Sequence, residues 1–207
     1  MATETFRQRR HDASAEMLLK AAETAMIRTG FDAVTMRDVA AEAGCSPGTL
    51  YQYFTNKQEL LDAIFERHST TLIALIRAAH ASIGDPLEKL KLGTQCVLEY
   101  LGQNRAVFVL FYMTAPRTPG DPIARMPAGP RAGWEKLCRD ETELIAKAQR
   151  QGRVRKDLSA EVLHRCMRRL ESGMIEEFVA EDAPRKQTEH LRIIWSFLLH
   201  GFGATEK

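Results

Sequence analysis

The chain has 207 residues, of which 44% are hydrophobic and 27% charged, so it is long enough to bury a core and has an ordinary globular composition. Its 29 Lys and Arg nearly balance 27 Asp and Glu, and a net charge of +2 excludes nucleic-acid binding through bulk basicity alone. No run of 18 apolar residues and no apolar N-terminal signal segment is present, so we expect a cytoplasmic protein without a membrane span.

The first predicted element is an amphipathic helix that ends at Gly30. Apolar residues from Met17 to Met26 recur at the spacing of one helix face. We expect order from about residue 12. The basic stretch 7–11 before it is either an additional contact to phosphates or the minor groove, or a disordered tail.

Residues 35–60 predict two short helices joined by a tight turn, followed by the start of a third helix. Thr35 is a good N-cap, and Asp38 stands three residues later, where a capping box has its acid. Gly44 ends this helix, and Ser46 with Pro47 begins the next. This order is typical of a helix-turn-helix, whose second helix enters the major groove of DNA.

The second short helix, about residues 47–54, carries most of the polar chemistry. Leu50 and Phe54 are four residues apart and predict its buried face. Hydroxyl groups suit phosphate oxygens, Gln52 suits an adenine edge, and Arg37 suits guanine. The alternative is a solvated helix with half-packed tyrosines. The residues expected to contact DNA are Thr35, Arg37, Ser46, Pro47, Gly48, Thr49, Tyr51, Gln52, Tyr53 and Lys57.

The segment from about Met17 to Ile64 resembles the DNA-binding domain of the TetR family of transcriptional regulators. The resemblance implies an all-α fold, with a three-helix DNA-binding head and a larger helical body that binds a ligand and dimerises. It also implies repression relieved by a small molecule. The residues that carry it are Ala21-Ala22, Gly30-Phe31, Thr35, Val39-Ala40, Ala43-Gly44, Ser46, Gly48, Leu50-Tyr51, Tyr53-Phe54, Lys57 and Leu60.

By this resemblance, seven positions of the head fall on DNA-contact positions of the family. The head, taken as residues 1–57, holds seven Lys or Arg and seven Asp or Glu residues, so its cations must be concentrated on one side to attract DNA. Cys45 stands where the family commonly has a small apolar residue. The seven positions are Thr35, Arg37, Ser46, Thr49, Tyr51, Tyr53 and Lys57.

The body, residues 58–207, is predicted to be helical throughout. The helix that begins near Asn56 continues past Ile76, and Asp85 caps a further helix. Five prolines within residues 114–133 predict a long loop, which is either a lid over the ligand cavity or plain disorder. Helices are then expected over 134–150, from Ser159 onward, and after Pro184.

Two C-terminal helices have wide apolar faces that suit a four-helix dimer interface, with two helices from each subunit. The alternative is that both faces belong to the monomer core, and the resemblance favours the dimer. The residues assigned to the interface are Leu163, Leu170, Leu191, Ile194, Trp195 and Leu198.

A set of large apolar side chains in the body are candidates for an inducer pocket. Ligand pockets are mostly apolar, so the set indicates an apolar or aromatic inducer, although core packing is the better explanation of each residue taken singly. The candidates are Phe65, Phe108, Phe111, Tyr112, Trp134, Met167, Met174 and Phe178.

Neither a catalytic nor a metal motif is visible. The four cysteines are far apart and predict reduced structural thiols, and the six histidines form no short ligand pair. We therefore expect no enzyme, no cofactor and no metal. The expected partners are near-palindromic operator DNA, a small inducer and a second copy of the chain. The alternatives are a DNA-binding activator or architectural protein without a ligand, and a helical enzyme or interaction module whose motif is coincidental.

Overall fold

The computed structural model describes residues 6–82, 84–114 and 128–180, together with positions 189, 192, 193, 195 and 196. Within these ranges it contains helices and no strand, which confirms the all-α prediction. By their contacts the residues divide into two compact units, Met1–His68 and Ser69–Lys207. The division lies inside a helix that continues across it, whereas the sequence analysis put the boundary between residues 57 and 58.

The first unit holds three helices and the beginning of a fourth. They are α1 (Phe6–Thr29), α2 (Met36–Glu42), α3 (Pro47–Tyr51) and α4 (Lys57–Ala81). The basic stretch 7–11 lies on α1, and its side chains are outside the described residues. Most of the predicted apolar positions are buried, namely Leu18, Ala22, Ala25, Met26, Val39, Leu50, Leu60 and Ile64. The prediction is wrong at Met17, which leaves 66% of its surface in solvent.

In the continuous described ranges, the second unit contains the end of α4 and the helices α5 (Pro86–Gln103), α6 (Arg105–Thr114), α7 (Ala128–Arg150) and α8 (Ala160–Ala180). Asp85 caps α5 as predicted, because its Oδ1 accepts from the backbone N–H of Leu87 at 2.8 Å and of Glu88 at 3.2 Å. One buried cluster among the described residues of this unit combines α5, α7 and α8 through Leu90, Leu98, Leu144, Ile145, Ala148, Leu163 and Met167, and Trp195 from beyond α8 packs into it.

The predicted loop over residues 114–133 is wrong at its C-terminal end, because α7 begins at Ala128. Pro130 lies in the first turn of α7, where backbone N–H groups have no partner inside the helix and a proline therefore costs little. The number of prolines therefore overestimates the length of the loop. Residues 115–127, to which the lid hypothesis applied, lie outside the described residues.

In the part of the chain that is described, no helix is both long and apolar enough to cross a bilayer.

Candidate DNA-binding surface

The N-terminus of α2 is held by a reciprocal capping box, as predicted. The backbone N–H of Thr35 donates to Asp38 Oδ2 at 2.8 Å, and the backbone N–H of Asp38 donates to Thr35 Oγ1 at 3.2 Å. The side-chain and backbone hydrogen bonds from Thr35 lower the pKa of Asp38. The carboxylate therefore stays ionised and holds the chain at the point where it enters the motif.

The turn between α2 and α3 depends on Gly44. Its φ of +67° is in the left-handed region, which glycine reaches without a steric penalty. The N–H of Gly44 donates to the carbonyl of Ala41 at 3.1 Å, and that of Cys45 donates to Ala40 at 3.0 Å. These bonds satisfy the last carbonyls of α2 and turn the chain directly into α3.

Ser46 begins α3 as predicted, with Pro47 in the first helical position. The Ser46 Oγ accepts from the backbone N–H of Thr49 at 3.1 Å, and the two hydroxyl oxygens lie 2.9 Å apart. The helix is shorter than predicted, because it ends at Tyr51 and the chain then forms a turn. Five residues do not form a stable helix by themselves, so packing must hold α3 in place.

Helix α3 separates its apolar and polar side chains as the sequence predicted. Leu50 is 0% exposed and Phe54 is 8% exposed, while Tyr51 leaves 53% of its surface in solvent. An exposed tyrosine next to a buried leucine is typical of a surface that binds a partner molecule. Tyr53 and Lys57 are partly buried; the other eight residues expected to contact DNA are exposed, namely Thr35, Arg37, Ser46, Pro47, Gly48, Thr49, Tyr51 and Gln52.

Lys57 has an internal role that the sequence did not reveal. Its Nζ donates to the carbonyl of Phe31 at 2.8 Å and to that of Asp32 at 3.0 Å. The same ammonium lies 4.8 Å from the centroid of the Phe31 ring. Lys57 therefore holds the α1–α2 loop against the start of α4, and it retains one N–H donor for another acceptor.

Glutamate side chains stabilise the helices behind this surface. Glu59 Oε2 accepts from the backbone N–H and the hydroxyl of Thr55, and its own N–H donates to Asn56 Oδ1 at 2.9 Å. Asn56 therefore caps the start of α4 without a reciprocal bond from Glu59, since that carboxylate binds Thr55.

Glu23 on α1 contacts both Arg67 and His68 on α4. Burial alone would raise the pKa of Glu23, but hydrogen bonds and charge from His68 and Arg67 outweigh it and lower the pKa below 4.5. Because the ionised carboxylate is favoured in the folded state, this group clamps α1 to α4 within the first unit.

The candidate pocket residues lie in several different clusters. Phe108 lies at 6.2 Å from the ring of Tyr100 and 6.3 Å from that of Phe111, both in edge-to-face arrangements. Trp134 packs with Leu72, Ile73, Ile76 and Leu137, and Met167 belongs to the cluster around Leu163. Phe65 lies in the first unit and is partly buried. The side chains of Tyr112, Met174 and Phe178 are outside the described residues.

Among the residues assigned to the dimer interface, Leu163 and Trp195 are buried inside one chain, and Leu170 is partly buried against the same cluster. Leu191, Ile194 and Leu198 lie outside the described residues.

A buried polar pair in the second unit was not predicted from the sequence. His164 Nε2 and Glu141 Oε2 lie 2.9 Å apart, and each residue is 7% exposed. One signal was present in the sequence, since Glu141 stands four residues after Leu137 and three before Leu144, on the apolar face of α7.

Comparison with known proteins places the motif in a family. Residues 18–64 match the family model for bacterial regulatory proteins of the tetR family. The chain is 28% identical over 127 residues to the transcriptional activator FasR of Mycolicibacterium smegmatis, a match that covers 59% of this chain and 58% of FasR. It is 26% identical over 151 residues to the transcriptional repressor KstR2 of Mycobacterium tuberculosis, covering 73% of this chain and 74% of KstR2. The chain thus spans about three fifths of the length of the curated relatives that it matches first.

Solved structures share the fold over nearly the whole chain. The structure of the ketosteroid transcriptional regulator KstR2 superposes with a TM-score of 0.69 at 22% identity, covering 91% of this chain and 94% of KstR2. SmeT, the repressor of a multidrug efflux pump of Stenotrophomonas maltophilia, superposes in its triclosan complex with a TM-score of 0.73 at 18% identity, covering 92% of both chains. At these identities the similarity establishes the architecture alone.

Proposed function

We propose that this chain, which carries the helix-turn-helix domain of the TetR family, is a homodimeric DNA-binding regulator that recognises a near-palindromic operator and has no catalytic role. The observation that carries the proposal is the exposed polar face of α3, whose Leu50 is buried together with Phe54 from the turn that follows. Two such heads in a dimer read two half-sites spaced by about one or more helical turns of DNA.

Within this surface we assign different tasks to different residues. Tyr51 and Gln52 end α3 and are exposed, which suits contacts to base edges or phosphates in the major groove. Arg37 on α2 is exposed as a further cation for a base or the backbone. Lys57 mainly positions the loop before α2, because two of its donors are already used inside the head.

The proposal is tested by selecting bound sequences from a random duplex pool with the purified full-length chain. We expect one palindromic sequence to be enriched at near-physiological salt. The matched control is the variant Tyr51→Ala/Gln52→Ala, which changes two exposed residues and should enrich nothing. Failure of the folded wild-type protein to enrich any sequence would contradict the proposal.

We further propose that the regulator is a repressor, released from its operator by a small apolar inducer bound in the body. The aromatic cluster of Tyr100, Phe108 and Phe111 supplies apolar surface for such a ligand. The complex of SmeT with triclosan and the similarity to the ketosteroid transcriptional regulator KstR2 support an apolar ligand. An inducer acts only through its different affinities for the DNA-bound and released states.

This part is tested by adding a ketosteroid and triclosan to the complex with the selected duplex. We expect release by at least one ligand of this apolar class, and a weaker response from the variant Phe108→Leu. If a broad apolar panel leaves DNA affinity unchanged, the protein acts without an inducer.

A second candidate function is activation of transcription, and the similarity to the activator FasR favours it. Repression and activation use the same DNA-binding head, so DNA binding does not distinguish them. A fusion of the regulated promoter to a reporter gene does. A reporter that falls when the gene is deleted identifies an activator, whereas one that rises identifies a repressor.

A further inference from the structure

Three side chains with metal-ligating atoms converge inside the second unit. Cys138 and Glu141 lie on α7, His164 lies on α8, and their ligand atoms are all within 4.8 Å of one another. Glu141 and His164 are buried, and Cys138 is partly buried. A thiol, a carboxylate and an imidazole are the three side-chain types that bind zinc in proteins.

A fourth candidate ligand faces the same carboxylate. His80, near the C-terminal end of α4, has a side chain that is 9% exposed, and its Nε2 lies 4.0 Å from Glu141 Oε1. Among the described residues, neither ring nitrogen of His80 has a hydrogen-bond partner. A buried polar group without a partner is costly, so an unpartnered imidazole aimed at a buried carboxylate indicates a missing ligand.

Helix α5 leaves the space in which the His80 ring lies. Gly93 is buried, and a Cβ at that position would lie 2.6 Å from His80 Nε2. Any side chain at Gly93 would therefore displace the imidazole. The glycine and the histidine together keep a nitrogen ligand close to Glu141.

The surroundings carry more than one carboxylate. Glu171 on α8 accepts a hydrogen bond from Thr94 at 2.8 Å, and its pKa is raised by burial and then by the negative charge of Glu141. The nearby Arg168 partly offsets this charge. A buried region with two carboxyl groups is a favourable environment for a divalent cation.

We propose that Cys138, Glu141, His164 and His80 form a binding site for a divalent transition-metal ion of the zinc type. Around a tetrahedral ion with bonds of about 2.0–2.3 Å, ligand atoms lie roughly 3.3–3.8 Å apart. The ligand atoms of Cys138, Glu141 and His164 lie within 4.8 Å of one another and must move slightly closer, and His80 joins them from the side of Glu141 Oε1, 4.0 Å away. The mixture of sulfur, nitrogen and oxygen disfavours Mg²⁺ and Ca²⁺, which prefer oxygen ligands only. The site is independent of the proposed DNA binding.

Binding of the metal ion releases protons and replaces a hydrogen bond. The Cys138 thiol loses its proton to solvent and bonds to the metal as a thiolate. His164 binds through Nε2 as a neutral imidazole with its one proton on Nδ1, so the proton between Nε2 and Glu141 moves there or leaves to solvent. The hydrogen bond between His164 and Glu141 is then replaced by two metal–ligand bonds. Four protein ligands leave no open position, which is typical of a structural rather than a catalytic site. The metal would join α4, α7 and α8 within the second unit.

The test is a titration of the metal-stripped, reduced, full-length protein with Co²⁺, followed by absorbance. We expect saturation at one ion per chain, with a thiolate-to-cobalt charge-transfer band and the visible bands of tetrahedral cobalt, all removed by Zn²⁺. Cys138→Ser should abolish the charge-transfer band. The matched control is Cys166→Ser, because Cys166 is exposed on α8 and should leave the spectrum unchanged.

Two further variants keep the test decisive if Cys138→Ser does not fold. Glu141→Gln preserves the shape of the side chain. Gly93→Ala would place a Cβ 2.6 Å from His80 Nε2 and 3.3 Å from Ile76 Cγ2, so it displaces His80 most. Both should weaken Co²⁺ binding at least tenfold while circular dichroism remains that of the wild type. The proposal is overturned if folded wild-type protein takes up no Co²⁺ or Zn²⁺, or if the thiolate band survives in folded Cys138→Ser.

Discussion

At the scale of single residues, the head depends on charged groups that are used inside the domain. Lys57 and Glu23 are both partly buried in the first unit. Each makes hydrogen bonds to another element of the first unit. Their substitution should therefore change stability before it changes recognition.

Lys57→Met should lower the stability of the head by about 1.5–3 kcal/mol, the usual contribution of hydrogen bonds to a charged group. The carbonyls of Phe31 and Asp32 would lose their shared donor. Thermal unfolding measures the change, with the exposed Lys20→Met as the control. If Lys57→Met unfolds like the wild type but loses DNA affinity, Lys57 acts on DNA and not on the loop.

The contact that Glu23 makes between α1 and α4 should weaken in acid. Its folded-state pKa is lowered from the ordinary glutamate value, so its stabilising contribution is present above the pKa of the unfolded state and is lost as the pH falls through the folded-state pKa. Between about pH 5 and 3, the melting temperature of Glu23→Gln should therefore fall less steeply than that of the wild type. Glu66→Gln, an exposed change on α4, should follow the wild-type curve; parallel curves for Glu23→Gln and wild type would refute this role.

At the scale of elements, the beginnings and ends of helices are the features that local sequence predicts best. Thr35, Ser46 and Asp85 all cap helices where the sequence placed them, because a cap depends on a few adjacent residues. The start of α7 was missed because a proline is permitted in a first turn and excluded from the interior.

Substitutions at Ser46 should separate the stability of α3 from its binding of DNA. Ser46→Ala removes the acceptor for the Thr49 N–H and should cost about 0.5–2 kcal/mol. Ser46→Asp preserves an acceptor at the cap and should keep wild-type stability, but its negative charge faces the expected phosphates and should abolish operator binding. Chemical denaturation and fluorescence anisotropy measure the two effects. An Asp variant that binds DNA normally would place Ser46 outside the interface.

At the scale of the whole molecule, the candidate DNA surface was predictable and the candidate metal site was not. The surface is contiguous in sequence, so spacing alone brings Thr49, Tyr51 and Gln52 together. His80, Glu141 and His164 come from three helices far apart in sequence, and only packing brings them close. No local motif encodes that arrangement.

The DNA affinity should fall steeply with salt. If two heads together neutralise six to ten phosphates, affinity drops by roughly 10³–10⁵ between about 50 and 200 mM salt, through release of counterions. Anisotropy titrations at several salt concentrations give the slope. A flat dependence would mean that the protein does not bind the DNA backbone in this way.

The active species should be a dimer. We expect sedimentation to give about twice the monomer mass of 23.3 kDa, and one dimer per operator duplex. A monomer at concentrations that saturate the operator would contradict the use of paired half-sites.

The exposed face of α3 is expected to recognise a specific DNA sequence. The most direct measurement compares the affinity of the wild-type protein for the selected duplex and for a shuffled duplex of equal composition, alongside the folded Tyr51→Ala/Gln52→Ala variant. We predict a preference of at least about 10³ for the selected duplex in the wild type, which is largely lost in the variant. Equal affinities of the wild type for both duplexes, or an undiminished preference in the variant, would contradict the account.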